Sequence, residues 1–347
     1  MNRPRVIASL MLLAGCVGCS EAGGDAGDPA ARMLGGARGH GWRDDPTTEL
    51  FRLMGKNAIW TAIDTVQMQG WSTFHTEGMV KVGDRFFVSS VETLEAPVRN
   101  GVDTDALYDF SIDRSPGRGR GWLSEFDADG TLVDQIELTD GDVYHPGGID
   151  YDGEFIWVPL AENRPNSHSE VFRVDPATLD AELVFSADDH IGGVVHDTHR
   201  GTIHGVSWGS RRLYTWKLHG HGHGHGDVVA DSRWVPNEES IIDYQDCHYH
   251  GVDFMLCGGL QSYTTPLGPV AFGALDLVDL RTDRPDHQVP VNLFVDEGAG
   301  PSPTLALTNN AFWTEPQDDR SLRFYFMTES DLQADLMVYT ATPWINR

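Results

Sequence analysis

The chain has 347 residues, of which 52 are acidic and 25 are Lys or Arg, so its formal net charge at pH 7 is −27. A surface this acidic repels phosphate backbones, which proteins bind through Lys and Arg, and nucleic acid is therefore not an expected partner. The same charge favours solubility, and we expect a monomer.

The N-terminal residues predict export. Arg3 and Arg5 precede an apolar run over residues 6–13, which is too short to span a bilayer and has the flanks of a signal peptide. The run ends in the letters LAGC, the last of which is Cys16, and these small residues resemble the lipobox of bacterial lipoproteins. The resemblance implies a signal peptide over 1–15, lipid on the Cys16 sulfur and a protein anchored to membrane lipid on the periplasmic or outer face. The alternative is an ordinary secreted protein.

The composition divides the remaining chain into two parts. Residues 16–48 are rich in Gly, Ala, Asp and Arg, which is the composition of a flexible tether that cannot bury enough apolar surface to fold. Residues 49–347 show no second boundary, and all-β folds of this length are often undivided. We therefore predict one β domain over 49–347.

An internal repeat is the strongest pattern in this domain. The segments HTEGMVKVGDRFFVSSVE at 75–92 and HPGGIDYDGEFIWVPLAE at 145–162 align without a gap. Both have His first, Gly fourth, Gly ninth and Glu last. In each copy a β-rich stretch turns at the second glycine and returns through alternating residues, which predicts a hairpin. The recurring pairs are His75 with Glu92 and His145 with Glu162.

The repeat continues along the chain. Its turn glycines are Gly83 and Gly153, a third copy begins at His190 and turns at Gly201, and a fourth hairpin turns at Gly251. Repeats of about 40 to 50 residues with several short strands are typical of a β-propeller. We predict an all-β propeller of five blades, with six as the alternative because blade one is long. The blades span about 74–139, 144–186, 188–236, 240 onwards and 300–340.

The ends of the domain predict how the ring closes. The apolar strand over about 58–68 has no hairpin partner of its own, and it can complete blade five so that no sheet edge is left open. Blade five is the least regular, and we place its turn at Asn309-Asn310, a pair that tolerates left-handed backbone angles.

Two cysteines flank the turn of blade four. Cys247 and Cys257 lie symmetrically about Gly251, which places them opposite each other on antiparallel strands. Outside the cytoplasm such a pair favours a disulfide, while a zinc site is the weaker interpretation because there is no second Cys pair.

The repeated histidines predict a site on the propeller axis. The first strand of each blade lines the channel, so His75, His145 and His190 should converge at similar depth. Three neutral imidazoles are ligands for a divalent metal, zinc in the first instance, and they leave a position open for water or substrate. Glu92 and Glu162, at the end of the second strand, are candidate proton acceptors or partners of the ligands.

Other polar residues are further candidates for this axis. Asp243 and Ser302 take the place of the histidine in blades four and five, and the remaining candidates are Glu77, Asp246 and His248. An alternative interpretation needs no ligand, because propellers also repeat a polar residue that hydrogen-bonds the backbone of the neighbouring blade.

Two segments fall outside the repeat. An insertion over 95–120 in blade one carries four arginines and could either cover a channel mouth or form a surface excursion. Alternating His and Gly over 219–225 are typical of weak metal binding, but a surface tract away from the axis is the favoured interpretation. The residues in question are Arg99, Arg114, Arg118 and Arg120, and His219, His221, His223 and His225.

The segments YHPGGIDYDGEFIWVPLAE, DHIGGVVHD, IHGVSWGSRRLYTW and YQDC resemble a family of uncharacterised propeller proteins from bacteria and fungi. The likeness covers most of residues 70–265 and implies the fold but no activity. The FHTEGM segment of blade one is also similar to the FTQGL segment of five-bladed glutaminyl cyclotransferases, which implies acyl transfer.

The sequence thus favours an exported, lipid-anchored propeller that acts on a small molecule as a metal-dependent hydrolase or lyase. The first alternative is a non-catalytic cell-surface module that binds a peptide, glycan or protein, because fold does not dictate function. The second is acyl transfer of the glutaminyl cyclotransferase type.

Overall fold

Five antiparallel sheets around one axis form a five-bladed β-propeller. The computed structural model describes residues 45–98, 114–219, 228–266, 268–295, 305–328 and 332–344. Cys16, Ser302, Arg99 and the side chains of the His and Gly tract at 219–225 therefore lie outside the described residues.

The described chain begins with helix α1 (Pro46–Arg52) and strand β1 (Ile59–Val66). The Asp45 carboxylate accepts a hydrogen bond from the Thr47 backbone N–H at 2.7 Å and caps the helix. Leu50 and Phe51 of the helix are buried in the core between blades four and five. The folded part thus begins upstream of residue 49. The described helices are all too short or too polar to cross a bilayer.

In every blade the first strand lies nearest the axis and the later strands lie further out. Blade one contains β2 (His75–Val82), β3 (Arg85–Glu95), β4 (Arg118–Phe126) and β5 (Leu132–Glu137). Blade two contains β6 (Val143–Pro146), β7 (Asp150–Tyr151), β8 (Ile156–Glu162), β9 (Ser169–Val174) and β10 (Ala181–Ala187). Blade three contains β11 (Ile191–Asp197), β12 (Thr202–Ser207), β13 (Arg212–His219) and β14 (Val228–Pro236).

The last two blades follow the same order. Blade four contains β15 (Asp243–Tyr249), β16 (Phe254–Thr265), β17 (Gly268–Asp279) and β18 (Arg284–Val291). A two-stranded sheet of β19 (Phe294–Val295) and β20 (Leu305–Ala306) follows. Blade five contains β21 (Ala311–Pro316), β22 (Leu322–Met327), β23 (Leu336–Thr342) and, as its outermost strand, β1.

The N-terminal strand closes the ring as predicted. β1 pairs antiparallel with β23, from Ile59 opposite Thr342 to Val66 opposite Leu336. First and last strands therefore share one sheet, and the ring is held together by backbone hydrogen bonds where the chain would otherwise leave two edges.

Apolar packing between blades explains why the strands are so hydrophobic. Five clusters of buried side chains fill the five interfaces between adjacent blades. Met79 packs toward blade five and the next residue, Val80, packs toward blade two, because successive side chains of a strand point to opposite faces. Each sheet is thus covered on both faces.

The predicted turn glycines lie where the repeat places them. Gly83, Gly153, Gly201 and Gly251 all have positive φ, between 60° and 96°, in the turn after the innermost strand. The turn predicted at Asn309-Asn310 is wrong. Residues Leu307–Asn309 form a 3₁₀ turn before β21, and the hairpin of blade five turns later, where the Gln317 N–H donates to the Ser321 carbonyl.

The predicted disulfide is present. Cys247 and Cys257 are directly opposite each other on β15 and β16, and their sulfur atoms are bonded. Both residues are buried in the core between blades three and four.

Candidate functional site

Three histidines lie at equal places at one end of the innermost strands. His75 is opposite Val91 on β3 and His145 is opposite Ala161 on β8, so Glu92 and Glu162 directly follow the two partner residues. His190 immediately precedes β11. The repeat therefore brings its three histidines to the same end of the axis.

The Glu77 carboxylate lies between two of these imidazoles. Its Oε1 is 3.2 Å from His75 Nε2 and 3.4 Å from His145 Nε2, and the side chain is only 8% exposed. The β2 pairing shifts register between Thr76 and Gly78, so Glu77 is the additional residue of a β-bulge. We call Glu77 and the three histidines His75, His145 and His190 the axial cup.

Backbone carbonyls fix the orientation of two rings in the axial cup. His145 Nδ1 is 3.1 Å from the Pro146 carbonyl oxygen, and His190 Nδ1 is 2.8 Å from the Glu162 carbonyl oxygen. A carbonyl oxygen can only accept, so each Nδ1 carries the proton, and in the neutral ring each Nε2 has a free lone pair.

Both rings are kept neutral. Burial lowers the pKa of His145 well below its usual 6.5, and the neighbouring charges of His190 and His75 lower it further. Burial also lowers the pKa of His190 to about 4, with a smaller contribution from Arg114. The ring centroids of His145 and His190 are 5.7 Å apart. Neutral imidazoles with free Nε2 atoms are the form that binds a metal ion.

An aromatic and cationic wall stands beside His190. The Trp208 ring meets the His190 ring edge to face at 4.7 Å, and the Arg114 guanidinium carbon lies 4.3 Å from the Trp208 ring centroid. Arg114 Nη2 donates to Asn163 Oδ1 at 3.0 Å. Arg114, which belongs to the insertion, thus lies beside the Trp208 ring that contacts His190.

The two glutamates of the repeat lie at this rim but are bonded to arginines. Glu92 Oε2 is 3.5 Å from Arg120 Nη1, and Glu162 Oε2 is 2.5 Å from Arg164 Nε. Glu162 contributes to the axial cup through its backbone carbonyl. A catalytic role for either carboxylate stays a prediction.

Asp246 forms the floor of the axial cup. Its two carboxylate oxygens accept hydrogen bonds from the backbone N–H groups of Met79 at 2.9 Å, Ile149 at 3.1 Å and Phe312 at 3.1 Å. These residues belong to blades one, two and five, while Asp246 itself is in blade four. The predicted polar residue that bonds neighbouring blades is therefore present here.

Close backbone packing completes this floor. A Cβ atom on Gly148 would lie 2.7 Å from the Asp246 Cα, and one on Gly78 would lie 2.5 Å from the Ile149 nitrogen. The innermost strands meet at these glycines, where a side chain would not fit. The axial cup is thus closed below by packed backbone.

Asp243 takes the equivalent place of the histidines in blade four. It stands three residues before Asp246, as His145 stands three before Gly148, and its Oδ1 is 3.5 Å from Arg211 Nη2. Burial raises the pKa of Asp243, and Arg211 opposes that shift.

His248 lies below the floor, between two buried carboxylates. Its Nε2 donates to the Phe312 carbonyl at 2.7 Å and is 3.5 Å from Asp246 Oδ2, while its Nδ1 is 3.7 Å from Asp150 Oδ1. Burial alone would lower the pKa of His248, but the charge of Asp246 and the contact with Asp150 raise it to about 10. His248 is therefore a cation at neutral pH.

This ion pair predicts a loss of stability in alkali. The unfolded chain binds the same proton with a pKa of about 6.5. The stabilisation of the folded state by protonated His248 is therefore complete below about pH 6.5 and is lost as the pH rises toward 10. We expect the free energy of unfolding to fall with a slope of up to about 1.4 kcal/mol per pH unit, measured by urea unfolding between pH 7 and 9.5.

The matched variants are His248→Gln and His204→Gln. Burial lowers the pKa of His204 to about 4, so this histidine contributes to the pH dependence on the acidic side of neutrality. His248→Gln should flatten the alkaline slope and His204→Gln should leave it unchanged. Equal slopes in all three proteins would show that His248 does not carry a proton that folding stabilises.

The axial cup has part of the geometry of a metal site. Two atoms bound to one tetrahedral ion at 2.0 to 2.1 Å are about 3.3 Å apart, which is close to the separations between Glu77 and its two imidazoles. Over the described ranges, however, three His, Cys, Asp or Glu side chains do not come together in a complete metal-binding arrangement.

A model of the DUF6454 family, a family of unknown function, matches residues 46–343. The chain belongs to this family. The match begins at the first residue of α1 and ends one residue beyond β23, so the family unit is the helix together with the closed propeller. This confirms the resemblance to uncharacterised propeller proteins. A search of curated proteins found no match.

Solved structures similar to this DUF6454 chain differ widely in kind. The tail fibre of Staphylococcus aureus phage P68 has a TM-score of 0.44 and 9% identity, over 86% of this chain and 56% of that chain. A luciferin-regenerating enzyme has a TM-score of 0.41 and 10% identity, over 82% and 95%. The β-propeller domain of the Trilobed protease from Pyrococcus furiosus has a TM-score of 0.29 and 12% identity, over 75% and 65%. The chain spans little more than half the length of the tail fibre.

The sequence did not assign several residues of the DUF6454 site to that site. Asp150 joins two strands by accepting from the backbone N–H groups of Tyr249 at 3.2 Å and His196 at 3.3 Å. Trp208 and Asn163 form the wall that holds Arg114. None of these residues recurs in the repeat, so the pattern that found the histidines could not find them.

Proposed function

We propose that this DUF6454 protein binds a divalent metal, zinc in the first instance, in the axial cup and acts on a small molecule there as a hydrolase or lyase. His75, His145, His190 and Glu77 would hold the metal. The observation that carries the proposal is the convergence of three imidazoles and the buried Glu77 carboxylate at one end of the axis.

The Nε2 atom of His145 faces the Glu77 carboxylate. His145 Nε2 has a free lone pair because Nδ1 carries the ring proton, and it lies 3.4 Å from the Glu77 Oε1, which is also an acceptor when ionised. Two acceptors in contact repel, and burial strengthens the repulsion. A bound cation removes this conflict, because each lone pair then points at positive charge.

The surrounding residues prepare the ligands. The Pro146 and Glu162 carbonyls hold the rings in the tautomer that presents Nε2, which is the usual role of the group behind a metal-bound histidine. The neutral rings need lose no proton on binding. Three imidazoles and one carboxylate would be four ligands, so a water or substrate would bind only if the ion took a fifth. Such an ion acidifies a bound water and polarises an oxygen of the substrate.

A glutamate at the rim of the axial cup would transfer the proton. Glu162 is the nearer candidate, because its own backbone carbonyl touches His190, but its carboxylate is held by Arg164 at 2.5 Å. A proton carrier in this position would have to exchange Arg164 for substrate during the reaction.

Export belongs to the same proposal. The buried Cys247–Cys257 disulfide supports a compartment outside the cytoplasm, where such bonds persist. We propose that Cys16 carries the lipid. The described chain begins at the opposite end of the axis from the cup, since Asp45 Oδ2 is 3.2 Å from His250 Nδ1, beyond the last residue of β15.

A second candidate is a binding module without catalysis, which would hold a small molecule, peptide or glycan in the same cup. Asp246 favours this candidate, because it is an axial acid with a structural role: it accepts from three backbone N–H groups and lies 3.5 Å from the buried His248. The histidines of the axial cup would then have a structural role like that of Asp246.

Zinc titration distinguishes the two candidates. In a protein whose four tract histidines, His219, His221, His223 and His225, are replaced by Asn, we expect zinc to bind and to raise the melting temperature. At a concentration 100 times the dissociation constant the stabilisation is about 2.7 kcal/mol. His75→Ala or His145→Ala should weaken zinc binding at least about 10-fold, measured by calorimetry.

His204→Ala is the control, because His204 is buried outside the axial cup and contacts Thr202 and Thr215. It should bind zinc like the parent protein. A parent that melts at the same temperature with and without zinc, copper, nickel, manganese and calcium would refute the metal and favour the binding module.

A further inference from the structure

We propose that the substrate carries a compact hydrogen-bond donor, a hydroxyl or an amino group, which binds to the Nε2 atom of His190 in an open space over Gly192. The inference rests on the proposed function in taking the axial cup as the place where a small molecule binds. It refines that function in one respect, because His190 contacts the substrate while Glu77, His75 and His145 remain to hold the metal.

Gly192 is a glycine that neither the backbone nor the packing requires. Its φ lies outside the left-handed region, and a Cβ atom at this position would have no neighbour among the described residues closer than 3.8 Å. Gly148 differs, because a Cβ atom there would lie 2.7 Å from the Asp246 Cα atom. The axial cup therefore has an open space, at least the size of a methyl group, over Gly192.

The polar atoms around this space are hydrogen-bond acceptors. The three atoms nearest to the Cβ position of Gly192 are Cδ2 and Nε2 of His190 and the Ser207 carbonyl oxygen, each at 3.8 Å. His190 Nδ1 donates to the Glu162 carbonyl at 2.8 Å, so Nε2 can only accept in the neutral ring. His190 is 4% exposed, and among the described residues no group donates to its Nε2. A ligand in this space would supply the donor that this buried acceptor needs.

The other members of the axial cup are arranged around Glu77. Its Oε1 is 3.2 Å from His75 Nε2 and 3.4 Å from His145 Nε2. The contacts of the His190 ring are with His145 and Trp208, at centroid separations of 5.7 Å and 4.7 Å. An ion held by Glu77, His75 and His145 would have three protein ligands and, in tetrahedral geometry, one open position. A substrate atom in that position would have its donor group beside His190.

The net charge of the protein also favours a donor over a group that only accepts. At −27 the protein attracts cations and repels anions, so its field would draw an ammonium group toward the axial cup and oppose a carboxylate. A hydroxyl group is neutral and is not opposed. The substrate class is therefore an amine or an alcohol.

Acylation of histidine by diethyl pyrocarbonate measures whether the space over Gly192 is open. An unprotonated imidazole nitrogen attacks this reagent, and peptide mass spectrometry identifies the modified residue. We expect His190 to be labelled in the metal-free full-length protein. Gly192→Val should slow this labelling at least about 10-fold, because the new side chain fills the space that the reagent needs. His204 is the internal control and should stay unlabelled, since both of its ring nitrogens contact threonine hydroxyls.

Gly55→Val is the matched control variant. A Cβ atom on Gly55 would also have room, with no neighbour within 4 Å among the described residues, but this residue lies between α1 and β1. The variant should leave the labelling of His190 unchanged. Gly192→Ala adds only a methyl group and should slow the labelling less than Gly192→Val. Equal labelling of His190 in Gly192→Val and the parent would overturn the inference.

Three small molecules test the class of the ligand. Methylammonium and glycerol supply an amino and a hydroxyl donor, while acetate at neutral pH supplies acceptors alone. We expect methylammonium, glycerol or both to protect His190 from labelling in the parent, and acetate to give no protection. Labelling of free N-acetylhistidine in the same sample corrects for reagent consumed by the amine. Protection by acetate, protection by none of the three, or a parent whose His190 is not labelled would each refute the inference.

Zinc titration of His190→Gln separates this inference from the metal proposal. The variant should bind zinc like the parent, whereas His75→Ala and His145→Ala should not. If His190→Gln loses zinc as they do, His190 is a metal ligand, and the inference is wrong while the metal proposal is supported. If the parent binds no zinc but a donor still protects His190, and labelling still depends on residue 192, the inference stands and the metal proposal fails.

Discussion

Asp246→Ala is expected to destabilise the folded protein by more than about 4 kcal/mol, enough to prevent most of it from accumulating in soluble form. The substitution removes the acceptor of three buried backbone N–H groups at once, those of Met79, Ile149 and Phe312. An unsatisfied buried group costs about 1 to 3 kcal/mol. The loss would therefore affect three blades besides the one that carries Asp246.

The same substitution leaves the buried charge of His248 without its partner. His248 Nε2 is 3.5 Å from Asp246 Oδ2, and His248 is fully buried. Removing one partner of a buried ion pair costs about 3 to 5 kcal/mol, because the other charge is left without compensation. These terms are not additive, since all the groups meet at one carboxylate. The free energy of unfolding of a typical domain is about 5 to 15 kcal/mol. Even part of the combined cost of the unsatisfied N–H groups and the unpaired charge would be a large fraction of it.

Asp243→Ala is the matched control. Asp243 is on the same strand, but its side chain is 27% exposed and its arginine partner is 3.5 Å away. We expect it to cost less than about 1 kcal/mol. Asp246→Asn, which keeps one carbonyl oxygen, should lie between the two. Urea unfolding followed by tryptophan fluorescence measures all three, and an Asp246→Ala protein as stable as Asp243→Ala would show that the floor does not hold the blades together.

The sequence could not predict which of these two acids lies on the axis. Both were candidates for the axis, but Asp246 lies on it and Asp243 pairs with Arg211 at its edge. The difference arises at Gln245, where the pairing of β15 with β16 shifts register between Tyr244 and Asp246. A bulge redirects the following side chains, and a sequence pattern of period two cannot reveal it.

The parts that were predicted correctly depend on local signals. A glycine at the ninth place of the repeat fixes the turn, because the backbone there needs positive φ, and Gly83 and Gly153 both have it. The turns fix the register, and the register brings His75 and His145 to equal places. The hairpins of blades one and two and the shared end of these two histidines follow from these short-range features.

Blade five lacks the repeat, and its turn was misplaced for that reason. Asn310 is not a turn residue, because its Nδ2 donates to the Thr76 carbonyl at 2.5 Å and connects blade five to blade one. The Thr308 hydroxyl donates to the Gly259 carbonyl at 2.7 Å and connects it to blade four. Asparagine and threonine favour turns by local hydrogen bonding, but here their partners are distant in sequence.

Glu77→Gln gives the second large effect, a loss of zinc affinity of about 100-fold or more, because the amide cannot replace a carboxylate as a ligand. Glutamine has the same size, so the packing of β2 should be kept. Its amide group can also donate to the free lone pair of His145 Nε2, which lies 3.4 Å from the Glu77 Oε1 in the parent protein. The substitution thus places an amide that can donate beside the lone pair of His145 Nε2.

The stability of the metal-free protein should therefore respond in the opposite direction from its affinity for zinc. Without metal, we expect Glu77→Gln to melt at the same temperature as the parent or higher, because a repulsive contact becomes a hydrogen bond. With zinc, the parent should gain stability and the variant should not. Thermal unfolding of the parent and of Glu77→Gln, each with EDTA and with zinc, gives the four melting temperatures to compare.

Glu92→Gln and Glu162→Gln are the controls for this cycle, since both remove a glutamate from the same rim. Their carboxylates contact Arg120 and Arg164, so neither substitution should change the zinc response of the melting temperature. A structural Glu77 without a metal would behave differently, because its replacement would lower the stability of the metal-free protein and zinc would have no effect on either chain. If Glu77→Gln lowers the melting temperature equally with EDTA and with zinc, the lone pairs of the axial cup are not the ligands of a metal.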